Sequence, residues 1–325
     1  MISAKLVVAV CLLLSDPSPP GEGSIGGTVV NASGRRAPAA GAEVVLRVKV
    51  DGQFMIAAET IADAEGKFRF APLPIRPDLE YLPGANQDDV HYPGKRIRLT
   101  RESPHVHVEL LVYDAVAGPN PLVARRYEIV VRPEPGALRV TETILVDNPT
   151  STCYVGEAAE GVEPVTLELA IPPDFDRTTF NKEFFGRRFS LADGRLVTGI
   201  PWPPGEKELT FTYILRNEER CRSWERPLDL PCSHVRLSVL TDKPEEVSSN
   251  LKPGSSRLRG EKVFQSEGRT LPVGHVLRLE MGRLPVPWMV YGRWIALVAL
   301  VGLIAGVSVV TLGRRGSSQR GKDEG

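Results

Sequence analysis

Residues Trp294–Leu312 read WIALVALVGLIAGVSVVTL, nineteen residues without a charge and with only Ser and Thr as polar groups. A helix rising about 1.5 Å per residue over that length crosses a hydrocarbon core of about 30 Å. The length and the Ala and Gly content exclude a buried strand. A buried core helix is the alternative, but no other stretch of comparable apolarity is available to surround it. Trp288, Tyr291 and Trp294 stand where interfacial aromatics belong, and Arg314, Arg315, Arg320 and Lys322 follow. Basic flanks stay on the cytoplasmic side, so the tail 314–325 is expected inside and the bulk of the chain outside, with membrane lipid as the first partner.

The other end is consistent with export. Lys5 precedes a nine-residue apolar run, Leu6 to Leu14, too short to span a bilayer and suited to the core of a signal peptide over about residues 1–15. Val10 before Cys11, and the apolar run continuing past it, argue against a lipoprotein site. Forty basic and forty acidic residues leave no net charge, and Lys and Arg are scattered, so the chain has no electrostatic footprint for nucleic acid.

Between the ends lie about 270 residues, a length that suits two domains. Thirty Gly and 28 Pro, with helix-period patterns hard to find outside the anchor, favour short strands joined by turns. Ala42–Val50 (AEVVLRVKV) alternates with Val44, Leu46, Val48 and Val50 on one face, the mark of a half-buried antiparallel strand. In Gly66–Phe70, Phe68 and Phe70 point inward, and His105–Tyr113 puts Val106, Val108, Leu110 and Val112 on one face. Gly118-Pro-Asn-Pro121 marks a boundary. Beyond it, strands are expected at 126–131, 138–146, 165–171, 209–215, 235–240 and 276–279, a spacing that reads as a β-sandwich.

The segments Ile25-Gly-Gly-Thr-Val-Val30, Gly41-Ala-Glu-Val-Val-Leu46 and Thr60-Ile-Ala-Asp63-Ala-Glu-Gly66-Lys-Phe68-Arg-Phe70-Ala-Pro-Leu73 follow one another in the first half. In this they resemble carboxypeptidase regulatory-like domains of bacterial membrane-anchored proteins. Tyr92-Pro-Gly94 and Val112–Asp114 add to the resemblance. It implies a seven-stranded, transthyretin-like sandwich over about residues 24–115 that is accessory rather than catalytic. Gly66 is suited to the positive φ of the tight turn and Asp63 to capping it. The layout from 122 to 283 is similar to the membrane-proximal half of the same surface proteins. The expected fold class is therefore all-β, two consecutive β-sandwiches at 24–115 and 122–283, followed by one transmembrane helix at 294–312.

The candidate chemistry is sparse. His105 and His107, two apart on a strand, point the same way with Glu109 on that face, and form the most ligand-like feature; the same positions suit a solvated outer face. Asp88-Asp89 near His91 reads either as a calcium-holding loop or as a solvated turn. The stretch Asp78–Lys95, with Tyr81 and Tyr92, reads as a long loop suited to recognition. Cys221 and Cys232 flank a ten-residue connection; joining them would stabilise by roughly 3 kcal/mol, which leaves Cys153 as a buried thiol, an intermolecular link or the true partner of one of them. No zinc-peptidase, nucleophile-elbow, Walker or dinucleotide motif occurs, so neither an enzyme nor a cofactor is expected, and the carboxylates are expected to be mostly solvated. Trp202 and Trp224 are expected at turns and core edges rather than on a saccharide platform. Gly302 and Gly306 form a small-xxx-small pair within the apolar run, a spacing that brings helices close. These readings point to a non-enzymatic envelope protein with a protein partner, or to an accessory subunit docked through its helix in a transport, respiratory or cytochrome-assembly complex. Asn31-Ala-Ser33 matches a glycosylation sequon.

Overall fold

Short strands account for nearly all the regular structure in the computed structural model, as the alternation requires. The structure describes residues 21–157, 164–172, 175–180, 189–192, 194–216, 223–256, 258–282, and 297, 299 and 300. The signal segment 1–15, most of the apolar run 294–312 with Gly302 and Gly306, the tail and Cys221 lie outside the described residues. Among the described residues no helix is long and apolar enough to cross a membrane.

The chain divides into two compact units. The first comprises residues up to Ala124 with Leu145–Leu169 and Gly186–Lys207; the second comprises Arg125–Ile144, Ala170–Phe185 and the remainder from Glu208.

In the first unit, strand Gly21–Asn31 pairs antiparallel with Lys67–Ile75 and parallel with His105–Val112, and the short strand Ala37–Pro38 closes its end. A second sheet runs in the order Gln53–Ile61, Glu43–Val50, Glu80–Gln87, Val90–Pro93, each pair antiparallel. The apolar faces share one core, in which Ile25, Val29, Phe68, Phe70, Leu110 and Val112 from the first sheet meet Val44, Leu46, Tyr81 and Ala85 from the second. Phe68 and Phe70 lie edge to face with ring centroids 5.8 Å apart. The turn before them is closed as its residues require: Asp63 Oδ1 accepts the backbone N–H of Glu65 at 3.1 Å and of Lys67 at 2.7 Å, and Gly66 takes a φ of 74°.

The stretch 78–95 departs from expectation. It is not a long loop but a hairpin, Glu80–Gln87 and Val90–Pro93, turning on Asp88 and Asp89 at φ 49° and 60°. Asp tolerates this left-handed conformation, so two residues suffice for the turn. Tyr81 and Tyr92 point into the core, where Tyr81 Oη donates to the Pro74 carbonyl and Tyr92 Oη to the Tyr113 carbonyl, each at 2.8 Å.

The second unit is built on a seven-stranded sheet in the order Phe175–Phe180, Gly205–Arg216, Ala137–Asn148, Val123–Glu134, Val235–Leu240, Glu261–Gln265, Lys252–Pro253. Strand Val235–Leu240 matches its expected span, and it runs parallel to Val123–Glu134, with Tyr127 opposite Val235. A three-stranded sheet, Ser223–Pro227, Val276–Glu280 and Ser248–Ser249, supplies Trp224, Arg226, Leu277 and Leu279 to the buried interior.

Candidate functional site

The ligand-like histidines lie on the outer face of the first sheet of the first unit. The register places Ser24 beside His105, Gly26 between Arg69 and His107, and Thr28 between Lys67 and Glu109. His105, His107 and Glu109 are exposed while Leu110 and Val112 face the core, so the alternation of this strand sets one row toward solvent. The three side chains do not converge on one point. His105 Nδ1 is hydrogen-bonded to Ser24 Oγ at 2.9 Å, and Glu109 accepts from Arg36 at 2.5 Å. Among the described residues no group of three or more His, Cys, Asp or Glu is placed to hold a metal ion.

The same face carries a groove of about 650 Å³, lined among others by Gly26, Asp63, Lys67, Arg69, His105 and His107. Thr60 and Ile61, from the strand at the edge of the second sheet, form part of its wall, and Ile61 is 68% exposed. A Cβ on Gly26 would approach no atom closer than the Phe68 carbonyl oxygen at 3.3 Å. That contact is tight but far looser than the one at Gly27, and the missing side chain leaves the groove open above Gly26.

The acidic turn is tied down by protein partners. Asp88 Oδ2 accepts the Ala115 N–H at 3.2 Å and Asp88 Oδ1 the Gln87 amide at 3.3 Å. His91 sits in a relay: Arg47 Nη1 lies 2.6 Å from Nε2, Nδ1 lies 2.7 Å from Asn86 Oδ1, and the Asn86 amide donates to Glu43 at 2.9 Å. An arginine only donates, so Nε2 accepts and Nδ1 carries the proton. Burial, then the Arg47 charge, hold His91 below the ordinary imidazole range. With both ring nitrogens engaged, His91 has none left to ligate a cation.

Cys153 and Cys232 are buried thiols. Burial raises the pKa of Cys153, and that of Cys232 is pushed up to about 11, with the Cys232 thiol 3.4 Å from the His234 carbonyl. Protonated thiols in such surroundings are poor nucleophiles. The expected partner of Cys232, Cys221, lies outside the described residues. Trp202 and Trp224 are buried rather than placed at a surface.

One cluster escaped the reading of the sequence. In the second unit Glu142 is wholly buried, an exception to the expectation that the carboxylates are mostly solvated, and it faces Arg226, whose side chain is 1% exposed. Arg226 Nε reaches both Glu142 oxygens, at 3.2 and 3.3 Å, and its Nη2 donates to Asp229 Oδ2 at 2.6 Å. Tyr127 and Tyr213 donate to the two Glu142 oxygens, and the Trp224 indole donates to Tyr213 Oη at 3.1 Å. Arg226 thereby ties the three-stranded sheet to the seven-stranded one. Burial works against its charge, but Glu142 and Asp229 outweigh it and hold the guanidinium well above its ordinary value. Tyr127 and Tyr213 are raised far above the phenol range by burial, and so are donors only. The cluster is closed to solvent and internally satisfied, as a structural tie requires. The signal was legible: Glu142 falls on the same face of its strand as Leu138, Val140 and Ile144.

No family model and no curated protein matches the chain. Among solved structures it is similar to native yeast LTA4 hydrolase, at 7% identity over 49% of this chain and 29% of that one, with a TM-score of 0.33. It is also similar to a mutant M1 zinc metallopeptidase from Deinococcus radiodurans bound to a Tyr-Ser-Ala substrate, at 14% identity over 50% and 43%, with a TM-score of 0.32. The chain spans less than half the length of either, and at such TM-scores the likeness carries no argument.

Proposed function

We propose that this chain is a non-enzymatic, single-pass envelope protein that holds an all-β body outside the membrane for binding or scaffolding. The anchor is Trp294–Leu312, and that uncharged nineteen-residue run with basic residues behind it is the observation that carries the reading. Residues 24–115 are read as a carboxypeptidase regulatory-like sandwich, and residues 122–283 as a further sandwich near the bilayer. The open groove on the first unit supports a binding role, and the protein partner is sought on the body. The test is photo-crosslinking in the intact envelope with Trp294–Leu312 replaced by an unrelated spanning helix. Crosslinks from the body persist under this reading. An accessory-subunit role, favoured by the Gly302 and Gly306 spacing, requires that the same exchange abolish them.

A further inference from the structure

We infer that the groove over Gly26 binds the oxyanion of a small molecule, a carboxylate or a phosphate, with Arg69 and His107 as its principal donors and Lys67 and His105 beside them. The inference rests on the binding role proposed above and names the chemistry of the ligand.

Three observations support it. First, the register sets Arg69 and His107 on opposite sides of Gly26, with Cα atoms two strand spacings apart, roughly 10 Å. At that separation two long side chains lean over a glycine from either side and meet on one anion, and an arginine presents the planar fork that matches an oxyanion. Second, the lining is rich in donors and poor in acceptors. The side-chain donors of Lys67, Arg69 and His107 make no hydrogen bond or ion pair among the described residues, while His105 is fixed through Nδ1 to Ser24. The one carboxylate lining the groove, Asp63, has an oxygen committed to two backbone N–H groups, and nearby Glu109 is neutralised by Arg36. Third, the groove is open to solvent and, at about 650 Å³, wide enough to admit a small molecule at its donors. Ile61 on the wall offers an apolar surface for the remainder of the molecule.

The test is isothermal titration of the full-length protein in phosphatidylcholine nanodiscs with inorganic phosphate and, separately, with citrate. The two arms tell which oxyanion the groove prefers. Saturable binding of at least one is expected. Arg69→Gln and His107→Gln should each weaken it about tenfold or more, the scale of one charge-assisted hydrogen bond. Gly26→Val, which sets a branched side chain between Arg69 and His107, should weaken it at least as much, while Arg278→Gln, a cation on the second unit, should leave it unchanged. Far-ultraviolet circular dichroism on each variant confirms that the strands persist. Absence of saturable binding to either anion, equal affinity in Arg69→Gln and wild type, or equal loss in Arg278→Gln overturns the proposal. Those results bear on the groove alone. If the groove binds no anion, crosslinks from the body are unaffected; if no crosslinks form, the titration still reads the groove.

Discussion

Replacing Arg226 with Met removes the cation that, among the described residues, is paired with Glu142. The variant keeps most of the side-chain volume, so packing changes little. It deletes the Nε contacts at 3.2 and 3.3 Å to Glu142, the Nη2 contact at 2.6 Å to Asp229, and the Nη1 contact at 2.8 Å to the Pro227 carbonyl. Glu142 then remains as a buried carboxylate held only by two tyrosines. Breaking a buried pair in this way costs about 3–5 kcal/mol, a large part of the roughly 5–15 kcal/mol that holds a domain folded. Since the chain has two units, a single unfolding midpoint would mix them, and local hydrogen exchange is the appropriate assay. Amide protection across Ala137–Asn148 and Ser223–Pro227 should fall by roughly two to three and a half decades, because each 1.4 kcal/mol is tenfold. Protection across Glu43–Val50, in the first unit, should not change. Adding Glu142→Gln to Arg226→Met removes the stranded charge and should restore part of the protection. Unchanged protection in Arg226→Met, or a double variant less protected than the single one, would refute the reasoning.

Other outcomes follow from the first unit. A Cβ on Gly27 would lie 1.9 Å from the Val108 carbonyl oxygen, whereas one on Gly26 meets nothing closer than 3.3 Å. Gly27→Ala should therefore cost about 1–3 kcal/mol or more, read as lost amide protection across Gly21–Asn31, and Gly26→Ala much less; equal effects would contradict the ladder described. His91 is held below its ordinary value of 6.5, so the native chain binds fewer protons there than the unfolded chain. That contribution is present above about pH 6.5 and lost as pH falls through the lowered native value, so wild type should lose more stability between pH 7.5 and 5.0 than His91→Gln. Equal losses would show that the Arg47–His91–Asn86 relay does not persist in solution. Cys153 should resist maleimide at pH 7.5 until the protein is denatured; rapid labelling of the native protein would place it at a surface.

Alternation made much of the fold legible. Val44 and Leu46, Phe68 and Phe70, and Leu110 and Val112 face the core as their spacing requires, because in a pleated strand one face follows from sequence parity alone. The hairpin at 80–93 was misread because Pro83, Gly84, Asn86 and Gln87 are poor strand formers. The two buried tyrosines override that preference, and only Asp88 and Asp89 make the turn. Glu142 was overlooked for the opposite reason: as one acid in a chain with forty, it stands out only when its row is seen to be apolar. Even then its partner, 84 residues away in the chain, is fixed by packing of one sheet on another and by nothing local. The groove was legible only in half. Spacing gave His105 and His107, but Arg69 and Gly26 joined them only once the register of three strands was known.

The central claim is the anchor, and extraction of native envelopes carrying the full-length protein with alkaline carbonate tests it most directly. The protein should stay in the membrane pellet and be released only by detergent, with its body open to protease from the outer side. Release into the carbonate wash as a species soluble without detergent would contradict the account.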